Sequence, residues 1–366
     1  MHVRNKNILI PAAIFAVLAG LYAVVTLVNG SHLLFRPVWD VGHYQSIAER
    51  GYEVMPCDPK IHYPVGDYCG NVGWFPAWPV ALKILSLGQV SVGIRVLPYV
   101  FGLLGFIAFY NLLRRLVDYK SALIGTMALA SAPSAFYFLT GFPYSFILVL
   151  FCAYLYYLYE KDARGRVYLL PLLALSISLS YPSAFLMAII PLTLALNQYR
   201  KQTVKPAPVV VIRDLLYHLI PFALGPLLLS LYFYLAFDDF LLILHFQEKY
   251  HRQWGLPFTV LWESLTTYPL YYVENATFLY YGLIFLVFFR YRLRAELVAY
   301  VLLGYLFSPA TGSVMSVYRH YLLLFPAAMM IGTSQRSLWI KLAFVALGLA
   351  LALLRFFPIF MAGHLI

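Results

Sequence analysis

Apolar runs long enough to cross a lipid bilayer recur along this chain of 366 residues. A membrane-spanning α-helix needs about 20 consecutive, mostly apolar residues, because each residue advances the helix by about 1.5 Å. About eleven apolar segments can be traced, some of them short or interrupted by proline: 8–28, 92–113, 121–139, 144–159, 167–181, 184–196, 215–236, 276–289, 295–309, 321–333 and 338–354. The sequence therefore predicts an all-α polytopic membrane protein.

The composition indicates the same class of protein. Hydrophobic residues make up 62% of the chain, charged residues make up 11%, and the mean hydropathy is +0.77. No linker divides the sequence, so we expect a single integral membrane domain over residues 1–366. The first run has no clear small-residue cleavage site after it, and we interpret it as a retained helix rather than a signal peptide.

The basic residues predict the orientation of the chain. They do not lie along one face, as nucleic-acid binding would require, but in short clusters between the apolar runs. With the N-terminus in the cytoplasm, 17 of the 26 basic residues fall on the cytoplasmic side and ten of the 15 acidic residues fall on the other. The positive-inside rule therefore predicts a cytoplasmic N-terminus, and no nucleic-acid partner is expected.

The polar residues on the extracytoplasmic side lie in three stretches. The first loop covers residues 31–91, the second covers 237–275, and the third contains SPATGSVMSVYRH. Long loops that are not disordered are often functional. We therefore expect the functional site at the extracytoplasmic surface of the membrane.

Within the first loop, WDVGHYQSIAERGY has the pattern of a short amphipathic helix at the membrane surface. Asp40 falls at the predicted N-terminus, where the helix dipole favours a carboxylate, and His43 and Tyr44 follow one turn later. The apolar positions recur at helical spacing: Val41, Tyr44, Ile47 and Ala48. Two interpretations are open: Asp40 only caps the helix while Trp39 anchors it, or Asp40 faces a reaction site.

The end of this loop, NVGWFPAWPVALKIL, combines two prolines with aromatic residues. Because proline fixes φ and removes a backbone donor, a rigid turn is predicted over Trp74–Pro79. The turn is either an interfacial anchor or the wall of a cavity for a lipid or a sugar.

Two of the three cysteines, Cys57 and Cys69, share the first extracytoplasmic loop. Oxidising conditions on that side of the membrane permit a disulfide between them. Two unrelated thiols are the alternative. The third cysteine, Cys152, lies in an apolar segment and is expected to be a packing residue.

The second loop carries several candidate ligand-binding residues in FDDFLLILHFQEKYHRQWGLPF. Lys249 and Arg252 lie one helical turn apart and can reach a phosphate, and Trp254 can stack on a sugar ring. The adjacent Asp238 and Asp239 point apart in regular structure, which disfavours a shared metal ion. Whether a divalent metal is needed is not determined by the sequence, and a solvated loop is the alternative interpretation.

In the third stretch, Arg319 and His320 lie at the mouth of an apolar segment. An arginine in this place either extends to the lipid headgroups or binds a phosphate with two parallel hydrogen bonds. The sequence contains no P-loop, dinucleotide fingerprint or HExxH motif. No cofactor is required by the residues present.

Five motifs in this order resemble the GPI mannosyltransferase II family, the PIG-V-like glycosyltransferases of the GT-C superfamily. The first is Trp39-Asp40, followed by Tyr44, Ile47-Ala48 and Gly51-Tyr52. The others are WFPAWP, SAPSAFYFLTGFPYS, QWGLPF and YRHYLLLFP. Together they span residues 36–326. One position departs from the family pattern, since Phe146 replaces the Glu that usually follows Tyr-Ser.

The resemblance implies a GT-C-type helical bundle and an inverting transfer of mannose, or a related hexose, from a polyprenyl-phosphate donor to a lipid or glycan acceptor. Such a reaction needs a carboxylate to deprotonate the acceptor hydroxyl and a cation to hold the developing phosphate charge. Asp40 is then the catalytic base, and Arg319, Lys249 and Arg252 are candidates for the phosphate. The remaining candidates for substrate binding are His43, Tyr44, Trp74, Trp254 and His320.

Three other functions compete with a glycosyltransferase. A lipid or glycan transporter or flippase usually carries ionisable residues at the bilayer midplane and internal repeats, and neither is evident in the sequence. A membrane acyltransferase is a second alternative. A non-catalytic partner of a glycosyltransferase is the third, since some members of the family work with a second membrane subunit. Because no ER retrieval signal is present, the sequence favours a prokaryotic plasma membrane over a eukaryotic ER membrane.

Overall fold

The computed structural model of the protein describes residues 2–29, 40–55, 69–160, 162–202, 207–248, 255–267, 272–289, 293–312 and 314–363. The structure is about 80% helical with almost no sheet. The described helices are α1 (His2–Val28), α2 (Asp40–Arg50), α3 (Ala77–Leu85), α4 (Val90–Leu116), α5 (Tyr119–Ala130), α6 (Tyr144–Tyr159), α7 (Arg166–Ser178), α8 (Ile189–Lys201), α9 (Pro208–Phe237), α10 (Leu242–Glu248), α11 (Pro257–Thr267), α12 (Tyr272–Phe288), α13 (Ala295–Ala310), α14 (Val317–Leu322), α15 (Phe325–Thr333), α16 (Leu338–Leu351) and α17 (Phe357–Met361).

Several of these helices have the length and composition of membrane spans. Four are long enough and apolar enough to cross a bilayer: Asn7–Val28, Val90–Leu116, Val209–Phe237 and Leu338–Met361. Four apolar helices are shorter: Tyr144–Tyr159, Arg166–Ser178, Val273–Phe288 and Ala295–Ala310. The described residues are therefore consistent with an all-α, multi-pass membrane protein. The predicted number of eleven spans and the GT-C arrangement stay predictions.

Proline divides some of the apolar segments that the sequence presents as continuous. In the segment 121–139, α5 ends at Ala130 and a separate 3₁₀ turn covers Ala135–Leu139. Pro133 lies between them, and proline removes a backbone donor and disfavours helical geometry in the residue before it. The segment 321–333 is divided in the same way, since α14 ends at Leu322 and α15 begins one residue before Pro326.

Small residues bring the central helices close together. α4 packs against α6, and α5 packs against α15. A Cβ atom added at Gly105 of α4 would lie 2.9 Å from Cδ2 of Leu148 in α6. One added at Gly332 of α15 would lie 2.6 Å from the carbonyl oxygen of Ser121 in α5. Close backbone approach of this kind is typical of helix packing in membranes, where small residues line the interface.

The predicted amphipathic helix in the first loop is confirmed as α2, which begins at Asp40. Its buried residues are Val41, Tyr44, Ile47 and Ala48, as the helical spacing predicts. They pack against α3 and α4, so α2 is fixed to the helical bundle. Gly141 permits this contact, because a Cβ there would lie 2.4 Å from Cγ1 of Val41 and 2.7 Å from Cγ1 of Ile94. The position of Asp40 is therefore set by packing.

A short antiparallel strand pair, β1 (Val54–Met55) and β2 (Cys69–Gly70), follows α2. The amide of Asn71 connects the pair to the helix. Its Oδ1 accepts from the backbone N–H of Glu53 at 2.8 Å, and its Nδ2 donates to Oγ of Ser46 at 3.0 Å. The two ends of this part of the first loop are thus held against the C-terminal half of α2.

The predicted rigid turn at Trp74–Pro79 is shorter in the structure. The irregular segment ends at Pro76, and Trp78 and Pro79 already belong to the first turn of α3. Proline is tolerated there because the first N–H groups of a helix have no intrahelical partner. The indole Nε1 of Trp78 donates to the carbonyl oxygen of Gly141 at 2.7 Å, which fixes α3 against the segment before α6.

Candidate functional site

Asp40 and Arg319 form an ion pair between two elements that are far apart in the sequence. Asp40 is the first residue of α2, and Arg319 lies in α14. Nη1 of Arg319 donates to Oδ2 of Asp40. The Arg319 side chain is 9% exposed, and the Asp40 side chain is 21% exposed. The carboxylate and the cation that the sequence singles out are therefore in direct contact, partly shielded from water.

The local backbone helps to hold this pair. Asp40 lies at the N-terminus of α2, where free backbone N–H groups and the helix dipole favour a negative charge. Ser316 has a φ of +64° just before α14, a left-handed conformation that is uncommon for a residue with a Cβ. Its Oγ accepts a hydrogen bond from Nη2 of Arg319 at 2.6 Å. The turn before α14 thus supplies a second acceptor for the guanidinium.

Part of the hydrogen-bonding capacity of the pair is still unused. Nε of Arg319 is buried and has no partner among the described residues. Within the part of the chain that the structure describes, the hydrogen bond of Asp40 is made through Oδ2, which leaves Oδ1 for another donor. Cζ of Arg319 lies 5.4 Å from the ring centroid of Phe142, a distance at which a cation and an aromatic ring attract. The pair therefore has a donor and an acceptor to offer a ligand.

Tyrosines surround the pair. Tyr44 is buried and interacts electrostatically with Asp40 and Arg319, and burial raises the pKa of its hydroxyl well above the usual range. It therefore stays protonated and acts as a neutral group rather than a base. Nearby, the hydroxyl of Tyr144 donates to the hydroxyl of Tyr181 at 3.1 Å.

His43 is directed towards Trp74. The two rings stack with their centroids 3.7 Å apart and their planes at 15°. Trp74 also contacts the ring of Phe246 edge-on at 5.7 Å, and its carbonyl oxygen accepts from the Tyr52 hydroxyl at 2.7 Å. The described hydrogen bond to Asp40 comes from Arg319 and not from His43. The His43 ring covers one face of the Trp74 indole.

His320 follows Arg319 in the sequence but has different neighbours. Its Nδ1 lies 3.4 Å from Oγ of Ser183, and its ring centroid is 5.3 Å from that of Tyr181. Because the Tyr181 hydroxyl is hydrogen-bonded to that of Tyr144, the ring contact with Tyr181 connects His320 to the tyrosines around the ion pair. It lies at the edge of the site.

The two aspartates of the second loop differ in their surroundings. Asp238 adopts a left-handed conformation with a φ of +56°. Asp239 accepts from the backbone N–H of Leu241 at 2.9 Å and contacts Nδ1 of His245 at 2.7 Å. Both oxygens of Asp239 are thus engaged within the loop. Among the described residues, no group of three or more His, Cys, Asp or Glu side chains could hold a metal ion.

Several predicted residues lie outside the described residues: Trp39, Cys57, Lys249, Arg252 and Trp254.

Cys69 is disulfide-bonded, whereas Cys152 is free and buried. Cys152 is therefore the packing residue that the sequence predicts. The pairing of Cys69 with Cys57 stays a prediction.

The sequence analysis did not identify Glu274 as part of this region. Glu274 lies in the first turn of α12, is only 8% exposed, and interacts electrostatically with Arg319 and Tyr318. Its position two residues before the apolar segment 276–289 is a signal that could have been used, because a buried acid at a helix N-terminus is uncommon without a cationic neighbour. Arg319 thus interacts with two carboxylates.

Phe146 occupies the position where the resemblance leads one to expect a glutamate. Its ring packs against Trp78, with centroids 5.6 Å apart, and against Phe101 at 5.2 Å. A carboxylate in this aromatic cluster would lose part of its hydration. Phenylalanine at this position therefore fits the aromatic packing around it.

One cavity lies at the opposite end of α2 from Asp40. It has a volume of about 520 Å³ and is lined by the C-terminal end of α2 together with residues of α3 and α9. Its lining begins at Ile47, seven residues after Asp40, which is about 10 Å along a helix. Pro76 and Pro79 line this cavity.

No protein-family model matches the chain, and no curated protein is significantly similar to it.

Proposed function

We propose that the chain is an inverting membrane glycosyltransferase that transfers mannose, or a related hexose, from a polyprenyl-phosphate donor to a lipid or glycan acceptor on the extracytoplasmic face. The observation that carries the proposal is the contact between Asp40 and Arg319. Among the described residues, one oxygen of the Asp40 carboxylate has no donor, and Nε of the Arg319 guanidinium is buried without an acceptor. The order of the five motifs adds to it.

In the proposed reaction, Oδ1 of Asp40 accepts the proton of an acceptor hydroxyl as that oxygen attacks the anomeric carbon of the sugar. The bond between the anomeric carbon and the phosphate oxygen breaks, and its electron pair leaves with the polyprenyl phosphate. Attack from the opposite side inverts the anomeric configuration. Because a phosphate is a good leaving group, one carboxylate is sufficient; a glycosidase needs two.

Arg319 has two roles in this proposal. Through Nη1 it fixes the orientation of the Asp40 carboxylate, which counts because proton transfer depends closely on geometry. Its remaining N–H groups, including Nε, are the donors we assign to the phosphate charge as it develops. Lys249 and Arg252 are further candidates for the phosphate.

The test is a transfer assay with purified protein, polyprenyl-phosphate [³H]mannose and a total lipid extract as the acceptor source. Asp40→Asn keeps the shape of the side chain but cannot accept the proton. We expect transfer to fall by about 10²- to 10⁴-fold, the usual contribution of a general base. Asp162→Asn is the matched control, because Asp162 is an exposed acid in a different loop, and it should transfer at the wild-type rate.

The role of Arg319 is tested in the same assay. Arg319→Lys keeps the positive charge but loses the planar fork, so donor use should weaken, and Arg319→Ala should weaken it further. Transfer at the wild-type rate by Asp40→Asn would show that another group is the base. If the wild-type protein neither transfers nor hydrolyses the donor, alone or with a co-purified membrane subunit, the transferase proposal is wrong.

A further inference from the structure

A cavity of about 520 Å³ forms an open groove at the C-terminal end of α2. One wall comes from Pro76, Pro79 and Val80 at the start of α3, and the facing wall comes from Leu228 and Tyr232 of α9. These walls are apolar apart from the tyrosine hydroxyl. With a volume of about 520 Å³ and apolar walls, the groove can take a hydrocarbon chain, because removing apolar surface from water is favourable.

The groove opens beside a helix that is a candidate membrane span. α9 contains the span Val209–Phe237, and Leu228 and Tyr232 lie in its last third. Both side chains are about half exposed, so the apolar wall continues from the groove onto the outside of the helix. An apolar chain can therefore enter from the bilayer without crossing a polar barrier.

The rim of the groove carries charges of both signs. Arg50 is neutralised by Glu53, with Nε and Oε1 2.9 Å apart. Glu49 accepts from Nε2 of Gln45 at 2.8 Å and also interacts electrostatically with Arg50. Because Arg50 is shared between Glu49 and Glu53, these three residues keep one net negative charge. Lys83 is exposed and makes no ion pair among the described residues. One acid and one base on the same rim are thus available to a ligand.

We infer that this groove binds a zwitterionic phospholipid of the bilayer, with one acyl chain between α3 and α9, the phosphate against Lys83 and the headgroup ammonium against Glu49. The charges of the rim match this headgroup in number and sign. Phosphatidylglycerol offers the same phosphate to Lys83 but has no ammonium group for Glu49. The groove therefore favours phosphatidylethanolamine over phosphatidylglycerol.

This lipid is separate from the donor of the proposed transfer. The groove begins at Ile47, and its rim charges Glu49 and Arg50 are nine and ten residues beyond Asp40, which is about 14–15 Å along a helix. The inference thus stands on the groove alone and does not depend on the proposed transferase activity.

The test is native mass spectrometry of the full-length protein in detergent micelles, titrated with either 1-palmitoyl-2-oleoyl-phosphatidylethanolamine or the matching phosphatidylglycerol. The wild-type protein should bind one phosphatidylethanolamine in preference to phosphatidylglycerol. Leu228→Trp and Val80→Trp, which fill the groove from opposite walls, should both lose this lipid. Lys83→Gln should weaken phosphatidylethanolamine binding about tenfold, the effect of losing a single interaction of about 1.4 kcal/mol.

Matched variants separate the groove from general effects. Leu227→Trp changes a neighbour of similar exposure that does not line the groove, and Lys120→Gln removes an exposed lysine elsewhere; both should bind lipid as the wild type does. Glu49→Gln should remove the preference for phosphatidylethanolamine. Retention of wild-type lipid binding by both groove-filling variants would overturn the inference, as would equal affinity of the wild-type protein for the two lipids.

Discussion

The ion pair between Asp40 and Arg319 predicts an asymmetric response to mutation. Asp40→Ala leaves the Arg319 guanidinium, whose side chain is only 9% exposed, with Ser316 as its remaining hydrogen-bonded partner in the described structure. Loss of the hydrogen-bonded counterion of a buried charge costs up to about 3–5 kcal/mol of unfolding free energy, and the remaining interaction of Arg319 with Glu274 should lower this cost. Arg319→Met leaves Asp40 without its cation, but the Asp40 side chain is 21% exposed and can be hydrated. The loss of unfolding free energy in this variant should therefore be nearer about 1–3 kcal/mol.

The double variant Asp40→Ala/Arg319→Met should be more stable than Asp40→Ala alone. It removes both charges, and replacing a buried ion pair by uncharged side chains often changes the free energy of unfolding little. We expect a loss of about 0–2 kcal/mol, which makes the coupling between the two sites about 2 kcal/mol or more. The measurement is equilibrium unfolding of the four proteins in mixed micelles. If the double variant loses the sum of the two single effects, the side chains do not act as a pair and the reasoning is refuted.

Three further predictions concern the elements around this pair. Gly141→Ala should destabilise the fold and lower transfer by displacing α2, whereas Gly42→Ala, where an added Cβ meets nothing within 4 Å, should do neither; thermal melts and the transfer assay compare them. A non-reduced digest analysed by mass spectrometry should contain a Cys57–Cys69 crosslinked peptide, and two free thiols in protein from its native compartment would contradict this. A cysteine placed at Lys60 should react with an impermeant maleimide from the extracytoplasmic side, and labelling only from the cytoplasmic side would reverse the predicted topology.

The local pattern was sufficient to predict α2. Apolar residues at helical spacing place Val41, Tyr44, Ile47 and Ala48 on one face, and the structure buries these residues. The start of the helix at Asp40 also follows from local rules, because an acid is favoured where the backbone N–H groups are free. Periodicity is a property of neighbouring residues, so it can be found without knowing the fold.

The apolar pattern was less informative about where helices end. The segment 121–139 is uniformly apolar, but α5 stops at Ala130. The ring of Pro133 interrupts the helical hydrogen bonds, and hydropathy does not register this backbone effect. The same limit applies to the number of spans, because a run of apolar residues does not distinguish one membrane-crossing helix from two shorter pieces.

The sequence by itself determined that the chain is helical and apolar and that Asp40 begins an amphipathic helix, because these properties depend on residues within a few turns of one another. The tertiary structure alone decided which partner Asp40 has. Arg319 lies 279 positions away, and no local rule relates the two. It also decided that Glu274 interacts with Arg319, that His43 is stacked on Trp74, and that a groove lined by Lys83 lies at the other end of α2. Each of these depends on how separate helices pack, and packing brings together residues that the chain keeps apart.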